Sequence, residues 1–597
     1  MKPQFFFVEA KKIPYKALIF EDCREIMVLS KEKKSLAEIR EYFHVLEKKI
    51  KEGFYALGFI SYELGYLLEE RLNKLYWEPQ TPLAYFALFK RWHKVQLHPQ
   101  EVERNYSLQV KGLNLSSKEY EEALRKIKNY IAQGDTYQVN FTAKLKFTLS
   151  GDPWSLFKAL LFSQRCEYAF FMETPDFFLL SLSPELFLEK KGLRLLSAPM
   201  KGTLKRAPLL HQDELQKESL REDPKSRAEN IMIVDLIRND LGRIAIPGSV
   251  WVKELFQIKT YPTLHQMISL IEGTIKEASL FDILKALFPC GSVTGAPKIR
   301  TMEIIRELEK EPRNVYTGAV GYLTPEGDFL FNVAIRTILL QKEKDQSFRG
   351  ELGVGAGIVW DSHTEGEYEE TLLKAKFLLD PIPYFQLLET FWWTQGRENP
   401  LLPYHFERLL SSAKYFQFSI PKELQSYASF KDFLRENLRE DTFQIFRIKL
   451  ILSPTGELKL EKEAYEELCW PKPIKVGLIR RKTPPHTFHY HKTTQRKEYN
   501  HLREEALRRG FTEIVFYNEA NQLLEGTISN IFLEKEELLY TPPLELGILP
   551  GTLRRKLIEE KKAIEAPLTL EDLKKGATLY IGNSLRGLGK VEDWVIL

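Results

Sequence analysis

The stretch "AKFLLDPIPYFQLLETFWW", residues 375–393, constrains the fold of this chain more than any other. A helical apolar pattern runs into Asp380-Pro381, where proline disfavours the helical conformation of the residue before it, and a strand-like apolar run starts a few residues later. One domain ends there and another begins. The 597 residues demand such a break, because a single hydrophobic core stops growing at roughly 250 to 300 residues. The expected domains are residues 1–380 and 385–597.

Charge narrows the class of partner. The 86 Lys and Arg nearly cancel the 82 Asp and Glu, so no strong field favours nucleic acid or an anionic membrane surface. The four cysteines, Cys23, Cys166, Cys290 and Cys469, lie far apart and form neither a disulfide framework nor a zinc spacing. No apolar run is long enough to span a bilayer, and the N-terminus does not read as a leader. These features predict a cytoplasmic protein acting on a small molecule, with neither nucleic acid nor membrane as partner.

Several stretches carry local signals. "SSKEYEEALRKIKNYIAQGD" (116–135) reads as an amphipathic helix with a serine cap, closed by Gly134-Asp135 ahead of the strand-like "TYQVNFTAKLKFTL". "LRLLSAPMKGTLKR" (193–206) alternates as a strand and then breaks at Pro199, placing Lys201 in a turn. Glu367, Glu370 and Lys374 fall on one helical face, where alone they amount to a surface ion pair of about 0.3–0.5 kcal/mol. Gly353, Gly355 and Gly357 in "ELGVGAGIVWDS" permit close approach of backbone amides to a ligand ahead of a helix start. Glu229, near the start of the helical "AENIMIVDLIRNDLGR", offers a hard oxygen ligand to Mg²⁺, or else complements the helix dipole.

Taken in order, "SLSPELFL", "APMKGTLKR", "AENIMIVDLIRNDLGR", "YPTLHQMISLIEGT", "FPCGSVTGAPKIRTMEII", "RNVYTGAVGYL", "FNVAIRT", "GVGAGIVWDS" and "EGEYEETLLKAK" resemble the chorismate-utilising enzyme family, over roughly residues 115 to 380. The resemblance implies an α+β fold, a sandwich of antiparallel sheets with outer helices. It also implies Mg²⁺ held by Glu229 and Glu370 against the ring carboxylate of chorismate. Ser292, Tyr316, Arg336, the backbone of Gly355, Ala356 and Gly357, and Lys374 match positions that contact substrate carboxylates, and His265 matches a histidine near the reacting ring.

Lys201 separates branches of that family. Anthranilate synthases carry a small residue there, whereas aminodeoxychorismate synthases typically carry lysine in a Pro-Ile-Lys-Gly-Thr motif; Met200 replaces the Ile with little change of volume. The lysine implies a covalent route. Its desolvated amine attacks C2 of chorismate and expels the C4 hydroxyl, protonated by Glu185; ammonia then attacks C4 and displaces the lysine. Gln138 stands where relatives that add water at C2 place a base lysine. No cysteine sits on a glycine-rich elbow, so the resemblance implies ammonia from a separate glutamine amidotransferase subunit.

In the second half, "TFHYHKTTQRKEYNHLREEALRRG", "EIVFYNEANQLLEGTISNIFL", "LGILPGTLRRKLIEE" and "HFERLL" resemble the fold type IV pyridoxal-phosphate enzymes, a two-domain architecture, over about residues 385–597. By that resemblance Lys492 bonds pyridoxal 5'-phosphate and Glu525 faces its pyridine nitrogen. Arg408, Thr527, Ile528, Gly551 and Thr552 surround its phosphate. A homodimer formed through this half is a further implication. Together the halves lead to the expectation of 4-aminobenzoate synthesis for folate: amination of chorismate, then elimination of pyruvate. An anthranilate synthase component joined to a branched-chain or D-amino acid aminotransferase is the rival, and a cofactor-free second half is the non-enzymatic one.

Overall fold

The computed structural model describes residues 5–597 apart from 10–12, 100–103, 344–346, 395, 439–443 and 467. The chain divides into two units, Met1–Arg206 with Leu215–Tyr384, and Ala207–Glu214 with Phe385–Leu597. Grouping of residues 207–214 with the second unit has no counterpart in the sequence reading.

Local signals set the elements of the first unit. The helix Ser117–Ala132 starts at Ser116, whose side chain accepts from the Glu119 amide while Glu119 bonds back, and beyond it Gly134 takes a φ of 80°. The strand Gln138–Gly151 follows. Eighteen strands of the described residues join in one hydrogen-bonded network whose pairings are antiparallel. One core cluster, with Phe7, Leu18, Phe59, Phe89, Phe170 and Leu179, is drawn almost wholly from strands, as expected for sheet packed on sheet. Two further clusters lie between strands and helices. Phe43, Ile237 and Leu284 come from the helices Leu36–Lys51, Pro224–Gly242 and Leu280–Leu287; Phe157 and Leu378 come from Pro153–Gln164 and Thr364–Leu379. This is the sandwich with outer helices.

Two features of the sheet place functional side chains. The strand Ser347–Ile358 pairs along its whole length with Gln138–Gly151, but Thr337–Lys342 covers its other edge only from Phe348 to Leu352. Among the described residues, no strand covers that edge from Gly353 onward. The strand Met200–Lys205 pairs with Leu264–Thr274 through a register shift between Met200 and Thr203. Lys201 therefore lies on a bulge inside a strand and not in a turn, because the chain resumes extended pairing straight after Pro199. Gly202 makes the bulge possible with a φ of 93°.

The second unit has two parts. Strands Leu387–Trp393, Phe446–Leu452 and Leu458–Ala464 form a small antiparallel sheet accompanied by the helices Leu402–Tyr415 and Tyr427–Asn437. A nine-stranded mixed sheet forms the other part, in which Lys475–Arg480 runs parallel to both Glu513–Tyr517 and Asp593–Ile596. Among the described residues no helix is long and apolar enough to cross a membrane.

Candidate active sites

The bulge at Lys201 is braced from a helix. Asn230 Nδ2, on Pro224–Gly242, donates to the Lys201 carbonyl at 3.4 Å, and Asn230 Oδ1 accepts from Ser269 Oγ at 2.6 Å. The Lys201 amine then reaches the open edge of the glycine strand. A Cβ added to Gly357 would lie 3.1 Å from Lys201 Nζ and 2.3 Å from Gln138 Nε2, so this position must stay glycine for the amine and amide to meet there. Burial and the Lys374 ammonium lower the Lys201 pKa, against the opposing charges of Glu185, Glu229 and Glu370.

Glu185 is the acid beside this amine. It is buried, accepts from Ser292 Oγ at 2.5 Å, and is pushed up to about 7 by burial. Cys290 Sγ lies 3.1 Å from Ser292 Oγ. The Ser292 hydroxyl thus serves Glu185, a bond invisible in sequence because 107 residues separate the pair.

Around these groups the backbone is unusually constrained. Arg336, Asn314 and Thr317 all take positive φ, at 49°, 61° and 59°. Arg336 Nη1 donates to Gln164 Oε1 at 3.0 Å, and burial lowers the guanidinium pKa, so an anionic ligand would relieve a desolvated charge. The Tyr316 ring occupies the space over Gly353, where a Cβ would come within 2.2 Å of it. Arg313, which the sequence reading overlooked, is fully buried on Glu309, with bonds of 3.0 and 2.6 Å. It also donates to the carbonyls of Val293 (2.9 Å) and Asn140 (2.6 Å), tying the segments of Ser292, Gln138 and Tyr316 together. His265 is wholly buried, with Nδ1 3.0 Å from Thr260 Oγ1.

Several sequence expectations change. Gly353, Gly355 and Gly357 lie within a paired strand, and the Ala356 side chain joins a buried apolar cluster. Lys374 Nζ donates to the Gly355 carbonyl at 2.7 Å, so this glycine meets Lys374 through its C=O. Glu229 is not at its helix start, since Asp223 caps the helix and Pro224 opens it. Glu370 is half-exposed and paired with Lys374 at 2.7 Å. Among the described residues, no group of three or more His, Cys, Asp or Glu side chains is arranged to hold a metal ion. Glu229 and Glu370 nevertheless both act on Lys201, and two carboxylates suffice for Mg²⁺ when water and substrate oxygens complete its shell.

The second unit gathers a different set. Lys492 is pulled down to about 7 by burial and by Arg496 and Arg408, against the attraction of Glu389 and Glu525. Glu525 is buried and raised to about 7, accepting from Tyr499 Oη and the Leu549 amide, each at 2.9 Å. Gly551 caps the helix Thr552–Glu559, and a Cβ on it would strike Asn530 Oδ1 at 1.8 Å. Arg408 Nη1 donates to the Pro550 carbonyl at 3.1 Å, which places the guanidinium beside that helix start. A low-pKa amine, a buried acid and an arginine near helix amides suit an aldehyde, a ring nitrogen and a phosphate. The residues fit pyridoxal phosphate.

Thr527 and Ile528 need correction as phosphate donors. Their amides donate to the Glu513 carboxylate at 3.1 and 3.2 Å, and the hydroxyls of Thr527 and Ser529 bond it as well. A carboxylate from the neighbouring strand already fills that turn. The signal available in sequence was Glu513 itself, a charged residue opening the apolar "EIVFY".

Residues 3–380 match the family described as chorismate binding enzyme, which is well over half of the chain. The chain belongs to the chorismate binding enzyme family. Residues 386–594 of this chorismate binding enzyme match amino-transferase class IV, so a fold type IV region follows the chorismate-binding fold. Aminodeoxychorismate synthase component 1 of Klebsiella aerogenes is 40% identical over 308 residues, 51% of this chain and 65% of that protein. Anthranilate synthase component 1 of Aquifex aeolicus is 38% identical over 270 residues, 45% of this chain and 54% of that protein. Anthranilate synthase component I from Streptococcus pneumoniae TIGR4 shares the fold, with a TM-score of 0.52 at 24% identity over 61% of this chain and 92% of that one. The chain spans 65% of the Klebsiella aerogenes protein and 54% of the Aquifex aeolicus one, so each of these relatives is matched over only part of its length.

Proposed function

We propose that the chain makes 4-aminobenzoate in two steps: amination of chorismate at C4 in the first unit, and elimination of pyruvate from the product in the second. The observation that carries the reading is Lys201, a partly buried amine of lowered pKa held over Gly357 with buried Glu185 acting on it. Family membership alone does not choose, since synthases named for aminodeoxychorismate and for anthranilate are similarly close.

In the first unit the neutral Lys201 amine attacks C2 of chorismate while Glu185 protonates the departing C4 hydroxyl, which leaves as water. Ammonia adds at C4 and the lysine leaves C2 with its electron pair restored. Arg336, Ser292, Tyr316, Lys374 and the backbone of Gly355, Ala356 and Gly357 would meet the substrate carboxylates, and His265 would lie near the reacting ring. Glu229 and Glu370 would hold Mg²⁺, whose charge would neutralise the ring carboxylate. Burial pushes the thiols of Cys166 and Cys290 up to about 12, which makes those two poor nucleophiles, and the likeness to component 1 synthases supports a separate glutamine amidotransferase as the ammonia source.

In the second unit Lys492 would hold pyridoxal phosphate, Glu525 would sit at its pyridine nitrogen, and Arg408, Gly551 and Thr552 would surround its phosphate. The bound coenzyme supplies an electron sink for the carbon that bears the new amine. Lys492 removes the proton from C4, and the enolpyruvyl oxygen leaves C3 and is released as pyruvate, the ring gaining aromaticity. The test is incubation with chorismate, ammonium, Mg²⁺ and pyridoxal phosphate, followed by separation of the products. 4-Aminobenzoate and pyruvate are expected; 2-aminobenzoate would overturn the reading in favour of the anthranilate relative.

A further inference from the structure

Glu389 and His405 have no part in the chemistry described so far, yet their bonds join both sides of the anion site in the second unit. Glu389 is 1% exposed and lies in the strand Leu387–Trp393, whose other residues are apolar except for Thr390. Its Oε1 accepts from Arg408 Nε at 2.8 Å and its Oε2 from Arg408 Nη2 at 2.6 Å, a bidentate pairing. His405, on the same helix as Arg408 and equally buried, places Nδ1 2.6 Å from Glu389 Oε2. Burial opposes the charge of Glu389, but Arg408 and His405 outweigh it and hold the carboxyl at about 2. An ionised carboxylate only accepts, so His405 Nδ1 carries the proton, and its Nε2 faces Thr552 Oγ1 at 3.4 Å.

The chain of bonds therefore runs from Arg408 through Glu389 and His405 to the first residue of the helix Thr552–Glu559. Three of the five N–H donors of Arg408 are engaged by Glu389 and the Pro550 carbonyl, which leaves two for an anion. A buried ion pair is weak evidence for stability, because apolar residues of similar volume often serve as well. Its presence inside a strand of Leu, Phe and Trp points to a demand for placement.

We propose that Glu389 and His405 are positioning residues that hold Arg408 and Thr552 at a fixed separation to receive a phosphomonoester group. The proposal rests on reading the second unit as a pyridoxal-phosphate site. It is tested by titrating the apo full-length chain with pyridoxal phosphate and with pyridoxal, which lacks the phosphate, following the absorption of the lysine-linked coenzyme. Glu389→Gln removes the anion that holds Arg408. His405→Asn keeps a donor toward Glu389 but is too short to reach Thr552. His405→Asn should lose about tenfold or more in affinity for pyridoxal phosphate, with pyridoxal affinity unchanged within about twofold; Glu389→Gln also removes a charge that acts on Lys492 and shifts both ligands alike, so there the expected loss is about tenfold or more for pyridoxal phosphate relative to pyridoxal. Should Glu389→Gln fail to fold, His405→Asn decides alone. Equal losses for the two ligands, or none, would overturn the positioning role while leaving the coenzyme site standing. No lysine-linked absorption in the unaltered chain would overturn the coenzyme site and the positioning role with it.

Discussion

Lys201 and Lys492 meet the same physical requirement by different means. In the proposed reactions each must be a neutral amine near physiological pH, and burial lowers both; Lys374 assists at Lys201, and Arg496 and Arg408 assist at Lys492. Loading of pyridoxal phosphate onto the apo chain should accelerate as pH rises through about 7, where Lys492 loses its proton. Glu185 works in the opposite sense. Raised to about 7 by burial, it can donate only below that value, so amination should decline as pH rises through about 7, and Glu185→Gln should abolish that limb and slow the reaction by about a hundredfold or more. Lys201→Ala should lower amination by a similar factor while chorismate binding, measured by calorimetry, is kept; full turnover in that variant would exclude the covalent route. The identity of these residues could be read from motif resemblance. The bonds of Glu185 to Ser292 and of Glu389 to Arg408 could not, because a carboxylate in an apolar run says only that it is paired, never with what.

At the scale of elements, the bulge between Met200 and Thr203 turns an ordinary strand into a site. It inserts a residue into the ladder, and the positive φ of Gly202 re-aims the chain so that Lys201 reaches the uncovered edge of Ser347–Ile358. Gly202→Ala is strained twice, by its φ of 93° and by a Cβ that would lie 2.9 Å from Ser226 Cβ. That substitution should cost about 1–2 kcal/mol in thermal or denaturant unfolding of the first unit and lower amination more than elimination. The strand alternation of "LRLLSAPMKGTLKR" was legible, but the reading of a turn after Pro199 was not sustained. A turn and a bulge share the same residues, and only the partner strand Leu264–Thr274 distinguishes them. The glycines of "ELGVGAGIVWDS" were read as permitting close approach of a ligand, but that they form a strand edge paired on one side only is decided by the partner strands.

For the whole molecule, two units with separate cores make the two proposed steps separable. Lys492→Ala should leave amination intact and let the aminated intermediate accumulate in place of 4-aminobenzoate, which chromatography of the products measures directly. The serine cap at Ser116 and the helical pattern ending at Asp380-Pro381 were legible because such signals act between residues close in sequence, whereas the grouping of residues 207–214 with the second unit was not. Motif resemblance to known families, and not residue chemistry alone, nominated both lysines. The tertiary structure alone decided which donors are free and which are already taken. Glu513 fills the Thr527–Ile528 turn, Lys374 meets a carbonyl, Arg313 ties its own segment to those of Val293 and Asn140, and Glu389 joins Arg408 to His405. Hydrogen bonds and burial are properties of neighbours in space, and folding brings those neighbours from positions that no local pattern relates.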